Sequence, residues 1–99
     1  MKMENVKKKM TELCEAVAAK GGNVIIIGDV KDNELQATIC QLQGKVHALA
    51  IDMARVAHQK SGEPVRGILE GANLMLEIAG KLTEKYTKVE VTDETTEGE

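Results

Sequence analysis

Aromatic side chains are almost absent from this sequence, which has one Tyr, no Phe and no Trp in 99 residues. Domains that bind single-stranded nucleic acid by stacking bases need several aromatic rings on one surface. A basic surface is missing as well. The net charge is −3, and since four acidic residues lie in the last seven positions, the rest of the chain carries +1. These two absences argue against nucleic-acid binding.

Patterned cysteines and long apolar runs are also lacking. Cys14 and Cys40 are the two cysteines, and no Cys-x-x-Cys or His-x-x-x-His spacing occurs, so we expect two reduced, buried thiols and no metal site. No apolar run approaches the roughly 20 residues of a membrane helix, and the lysine-containing N-terminus has no apolar signal-peptide core. We therefore predict a cytoplasmic protein without a membrane partner.

Residues 24–44 form the one stretch with a two-residue hydrophobic period. Val24–Ile27 is a run of β-branched residues, and residues 35–42 alternate between apolar and polar. The polar residues between them predict a β-hairpin with either a two-residue loop at Asp32-Asn33 or a longer loop. The two-residue loop places Val30 opposite Leu35 and Gly28 opposite Ala37.

Both faces of this hairpin are apolar. Two strands alone are marginally stable, so the second face needs covering helices or another copy of the chain, and homo-oligomerisation is our leading expectation. The predicted core face carries Val24, Ile26, Val30, Leu35, Ala37 and Ile39. The second face carries Thr38 and four interface candidates, Ile25, Ile27, Cys40 and Leu42.

Three amphipathic helices are predicted around the hairpin, at residues 3–20, 45–60 and 64–83. Gly21-Gly22 ends the first helix. Its apolar stripe is Met3, Val6, Met10, Leu13 and Val17, widened by Cys14 and Ala18. The second helix is expected to pack on the sheet through Val46, Leu49, Ala50, Met53, Val56 and Ala57.

The third helix has two apolar seams, which indicates two packing partners. Glycine inside a helix costs roughly 1 kcal/mol relative to alanine, so close backbone approach is a reason for Gly67 and Gly71, which we take as further interface candidates. Packing within the monomer explains them about as well. The seams are Val65, Ile68, Ala72, Met75, Ala79 and Leu82, and Gly67, Gly71, Leu74 and Ile78.

The pattern as a whole predicts an α+β fold in the order helix, antiparallel hairpin, helix, helix, with a sheet that oligomerisation extends or covers. Residues 1–92 are expected to form a single domain. Residues 86–91 are a candidate short strand, and the acidic residues 93–99 are expected to be a disordered tail.

One anion-binding site is a candidate at the start of the second helix. Gly44-Lys45 opens that helix, where free backbone N–H groups, the helix dipole and a lysine converge, and His47, Arg55 and His58 follow along it. The alternative is a strand-to-helix turn with a solvated lysine.

A catalytic site is less well supported. Cys40, His47 and Asp52 supply residue types for nucleophilic catalysis, and His58 could replace His47, but His47 and Asp52 lie on different sides of the helix. A buried structural thiol explains Cys40 better. We therefore predict that the chain is not an enzyme and needs no cofactor.

The order of patterns in residues 41–69 resembles small accessory proteins encoded by phages and prophages. The resemblance rests on a strand ending in Gln43-Gly44, the helix with Val46-His47-Ala48-Leu49-Ala50, the break Ser61-Gly62-Glu63-Pro64 and the helix start Val65-Arg66-Gly67-Ile68-Leu69. It implies a non-enzymatic protein that acts on host machinery or host defence, and it assigns no functional residue.

The sequence thus favours a small oligomeric binding module that sequesters an anionic, nucleotide-like ligand or blocks a host protein. The first alternative is a small enzyme that uses His47 or His58 with Cys40. The second is a DNA-associated regulator, which the near-neutral charge and the lack of a helix-turn-helix signal disfavour.

Overall fold

A computed structural model describes residues 2–33, 35–78 and 88–96. It confirms the predicted α+β class and the order of helix, hairpin and helices. The chain divides into two compact units, which we call the sheet unit (Met1–Leu49 with Thr87–Glu99) and the helix unit (Ala50–Tyr86). The elements are α1 (Met3–Ala19), β1 (Val24–Asp32), β2 (Leu35–Lys45), α2 (Val46–His58), a 3-10 turn (Lys60–Gly62), α3 (Glu63–Ile78) and β3 (Lys88–Thr96).

In the sheet unit, α1 packs against β1 and β2. Its buried positions are Met10 and Cys14, one helical turn apart, and they belong to the same core as Ala37 and Ile39 of β2. Leu13 was expected in this stripe but is 54% exposed, because the buried face of α1 is centred on Met10 and Cys14. Gly21 has φ 77°, a left-handed conformation that suits glycine, and α1 ends there as predicted.

The hairpin pairs β1 with β2 from Val24 opposite Gln43 to Asp32 opposite Leu35. The predicted register was wrong by two residues, because Asp32 pairs with Leu35 and the turn begins at Asn33, which adopts a left-handed φ of 58°. Gly28 is therefore opposite Ile39 instead of Ala37. Side chains alternate with a period of two, so an error of two residues leaves each described side chain on its predicted face.

The third strand of the sheet is β3, which pairs in parallel with β2 from Ala37 opposite Lys88 to Lys45 opposite Thr96. The strand order is β1-β2-β3, so the same chain extends the sheet. The candidate strand at residues 86–91 is present from Lys88, and residues 86–87 lie outside the described part. Residues 93–96, which the sequence assigned to a disordered tail, belong to β3, because backbone pairing to β2 does not depend on apolar side chains.

The helix unit contains the end of α2, the 3-10 turn and α3. The second helix is slightly shorter than predicted, Val46–His58, and the described part of the third is Glu63–Ile78. Residues 79–83 of the predicted third helix lie outside the described part. The residues of α2 fall in both units, so the packing of its apolar face on the sheet stays a prediction.

Candidate interaction surfaces

The side of the sheet opposite α1 carries an apolar surface, which we call the open face. The strand register places Ile27, Cys40 and Val91 in one row across the three strands. In the rows on either side, Leu42 lies between Ile25 and Asp93, and Thr38 lies between Asp29 and Val89. The open face consists of Ile25, Ile27, Thr38, Cys40, Leu42, Val89 and Val91.

The two sides of the sheet differ in how far their side chains are exposed to solvent. Under α1, Ala37 and Ile39 are each 2% exposed, whereas on the open face Ile27 is 64% and Val91 59% exposed. Ile25, Cys40 and Leu42 are half-buried. The structure therefore brings together on one face the four hairpin residues proposed as an interface, of which Ile27 is the most exposed.

Two residues of the open face were not among the predicted interface residues. Val89 and Val91 alternate with charged residues, a signal that indicated a strand but not its partner. The parallel pairing with β2 adds both side chains to the hairpin's second face. The apolar surface is therefore three strands wide.

Each outer row of the open face contains one carboxylate, Asp29 or Asp93. At the hairpin end, the Gln36 side-chain amide donates a hydrogen bond of 2.9 Å to Asp29. At the other end, Asp93 accepts hydrogen bonds from the backbone N–H of Thr95, at 2.9 Å, and from the Thr95 hydroxyl. These two bonds lower the pKa of Asp93, so it is ionised at neutral pH. Only the central row of the open face is therefore free of carboxylates, and both carboxylates of the outer rows are hydrogen-bonded within the sheet.

Cys40 lies at the centre of the open face. Burial raises the pKa of its thiol, and the nearby Asp93 carboxylate and Cys14 raise it further. A thiol with a raised pKa is neutral at pH 7 and behaves as a small apolar group. Cys40 therefore contributes to the apolar surface and is a poor nucleophile.

The α1 side of the sheet carries a buried polar contact. Gln41 is 6% exposed, accepts a hydrogen bond of 3.1 Å from the Thr11 hydroxyl and donates one of 3.3 Å to the Lys7 carbonyl oxygen. The Lys7 side chain forms an ion pair with Glu90 of β3. A cavity of about 110 Å³ beside Gln41 and Cys14 is smaller than the roughly 300 Å³ of the smallest usual ligand pockets. The polar groups on this side of the sheet therefore join α1 to the strands and do not form a ligand site.

The predicted anion-site residues lie along α2 and at its start. The Lys45 backbone N–H donates a hydrogen bond of 2.9 Å to the Asn23 side-chain oxygen, so this donor is already satisfied. Gly44 has φ 118°, and a Cβ there would lie 2.9 Å from Asn23 Cα, which explains the glycine by close packing. His47 and His58 are about 16 Å apart along the helix axis. The five residues do not form one compact site on the helix.

The predicted catalytic residues are also dispersed. Cys40 belongs to the open face, whereas His47 and Asp52 are exposed on α2 and about 140° apart around its axis. Asp52 forms an exposed ion pair with Arg55 at 3.8 Å. The Cys-His-Asp alignment that nucleophilic catalysis requires is therefore not formed by α2.

Gly67 and Gly71 lie on an uncovered part of α3. A Cβ added at either glycine would meet no described atom within 4 Å, apart from the helix's own backbone. The explanation by packing within the monomer therefore finds no neighbour among the described residues. The explanation by contact with another molecule stays a prediction.

No described helix is long and apolar enough to cross a membrane. Within the same residues, no three His, Cys, Asp or Glu side chains lie close enough together to hold a metal ion. Comparisons with protein-family models, curated proteins and solved structures found no match to this chain.

Proposed function

We propose that this chain is a small non-enzymatic binding protein that associates with a second copy of itself through the open face. The observation that supports the proposal most strongly is the exposure of Ile27, Val89 and Val91, each more than half exposed on the two outer strands of the sheet. Contiguous exposed apolar patches on a soluble protein are typical of interaction sites.

A second open face is the occupant that fits this surface best. Five residues of β2, from Thr38 to Leu42, at ~3.3 Å per residue, and three strands, at ~4.8 Å, make a flat area of roughly 17 by 14 Å. Two such faces stack as in a β-sandwich, about 10 Å apart, with side chains interdigitating. An identical partner supplies a surface that is equally flat, equally long and uncharged in the middle.

Light scattering coupled to size-exclusion chromatography tests the proposal with Ile27→Lys and Val91→Lys. Each substitution places a charge that would lose its hydration on stacking, so we expect the association constant to fall at least tenfold. Leu13→Lys is the matched control, since Leu13 is similarly exposed but lies on α1, which packs against the other side of the sheet. An equal effect of Leu13→Lys, or none of Ile27→Lys, contradicts the proposal.

Cross-linking at Cys40 gives an independent readout. Two stacked sheets hold the central strands about 10 Å apart, whereas a disulfide needs Cα atoms within about 7 Å. We therefore expect oxidation to join few copies through Cys40. Efficient oxidation to a disulfide would indicate closer strands than this packing allows.

Two more specific hypotheses, action on a host protein and sequestration of an anionic ligand, rest on the sequence alone. An action on a host protein comes from the resemblance to phage accessory proteins, and sequestration of an anionic ligand comes from the pattern around Lys45. A thermal-shift screen of nucleotides, with Lys45→Ala and Arg55→Ala as controls, tests the second hypothesis. A shift that both variants retain would locate binding away from α2.

A further inference from the structure

The four corners of the open face alternate between apolar and acidic residues. The row on one side of Cys40 begins with Ile25 on β1 and ends with Asp93 on β3. The row on the other side begins with Asp29 on β1 and ends with Val89 on β3. One diagonal therefore joins Ile25 to Val89, which we call the apolar corners. The other diagonal joins Asp29 to Asp93, which we call the acidic corners.

The hydrogen-bond pattern of the strands shows on which side β3 lies when the open face is viewed. Asp32 and Leu35 are the last pair before the turn, and a last pair exchanges both of its backbone hydrogen bonds. The alternation along β2 then directs the backbone N–H and C=O of Cys40 towards β3. When a strand of L-residues points upwards and a side chain faces the viewer, the N–H and C=O of that residue point to the right. Seen from the open face, with β2 pointing upwards, β3 is therefore on the right.

The twist of the sheet gives the open face the shape of a shallow saddle. Neighbouring strands are rotated by about −20 to −25°, and the outer rows lie about 6.6 Å from the central row. With β3 on the right, this rotation raises the apolar corners by about 2.5 Å towards the viewer and lowers the acidic corners by the same amount. The apolar diagonal is therefore the most prominent part of the face, and the two carboxylates lie behind it.

We propose that two open faces stack with their strands crossing at about 90°, in contact along the diagonal from Ile25 to Val89. This inference rests on the function proposed above and adds how the two copies meet. In such a crossed stack, a two-fold axis along either diagonal brings apolar corners to apolar corners. The gap between the sheets, about 10 Å at the centre, narrows to about 5 Å at the apolar corners and widens to about 15 Å at the acidic corners. The carboxylates therefore keep their water.

The alternative is an aligned stack, in which the strands of the two sheets lie within about 30° of each other. Two saddles of the same hand then nest at an even spacing of about 10 Å. A two-fold axis along or across the strands places each acidic corner over an apolar corner of the partner. All the carboxylates of the pair would then lose water against Ile25 or Val89, and burying an unpaired charge is unfavourable. The crossed stack avoids this cost.

Engineered disulfides distinguish the two stacks in the full chain, with Cys40→Ser as the background. Chains carrying both Ile25→Cys and Val89→Cys should cross-link to one another under oxidised glutathione, because the crossed stack brings apolar corners within the ~7 Å that a disulfide allows between Cα atoms. The two positions are about 16 Å apart in one sheet, so they cannot join within one chain. Chains carrying both Asp29→Cys and Asp93→Cys are the matched control and should stay separate. Non-reducing electrophoresis measures the cross-linked fraction.

The two designed chains also reveal the opposite result. Cross-links that form only when the apolar-corner chain is mixed with the acidic-corner chain would show an aligned stack. That result would overturn the crossed stack and leave self-association through the open face intact. A wild-type chain that stays monomeric in light scattering would instead contradict self-association, and the crossed stack with it.

Removing the two charges gives a second test. In the crossed stack the carboxylates are hydrated in the monomer and in the dimer, so Asp29→Asn with Asp93→Asn should change the association constant by less than about threefold. In the aligned stack the same variant loses the cost of burying charge, and association should strengthen about tenfold or more. Light scattering across a concentration series measures the constant. A strengthening of that size would overturn the crossed stack.

Discussion

At the scale of single residues, two glycines of the sheet unit should respond oppositely to alanine. Gly44 has a left-handed φ and lies against Asn23, whereas a Cβ at Gly28 would meet only Val30 Cγ2, at 4.0 Å. We expect Gly44→Ala to lower the free energy of unfolding by roughly 2 kcal/mol or more and Gly28→Ala to raise it by about 0.5 kcal/mol. Denaturant unfolding measures both. A gain in stability for Gly44→Ala would mean that the Asn23 contact does not form.

At the scale of secondary-structure elements, the sequence predicted which sides of the hairpin are apolar more reliably than where its strands pair. The turn chemistry of Asp32-Asn33 gave a register wrong by two residues. The assignment of side chains to the two faces was still correct, because side chains alternate with a period of two. The end of β3 could not be predicted, since Thr92–Thr96 is polar and a parallel partner some 50 residues away leaves no local signal. The open face was therefore predicted for two strands of three.

The contact between α1 and β2 yields a prediction at this scale. Thr11→Val removes the donor to the Gln41 side-chain oxygen and leaves a buried acceptor unsatisfied, so we expect a loss of about 1–3 kcal/mol in the free energy of unfolding. Gln41→Leu added to Thr11→Val should restore part of this loss, because the unpaired amide oxygen of Gln41 is then removed. A double-mutant cycle by urea denaturation measures the coupling. Additive losses would show that the hydrogen bond contributes nothing.

At the scale of the whole molecule, association through apolar faces predicts a characteristic response to salt. Sodium sulfate, which is excluded from protein surfaces, should raise the association constant, whereas 50 to 500 mM sodium chloride should change it little, since the open face is uncharged in the middle. Sedimentation equilibrium measures both. A strong fall of association with sodium chloride would instead indicate that charged residues hold the copies together.

The parallel pairing of β2 and β3 has a consequence for how the chain tolerates rearrangement. Lys45 ends β2 opposite Thr96, and β3 begins opposite Ala37, so the connection must travel back about 26 Å, the length of eight strand residues. A dozen residues are enough for such a crossover. Residues 50–86 make up most of the connection between β2 and β3. A short linker or a foreign helical segment could therefore replace them while the three strands keep their pairing.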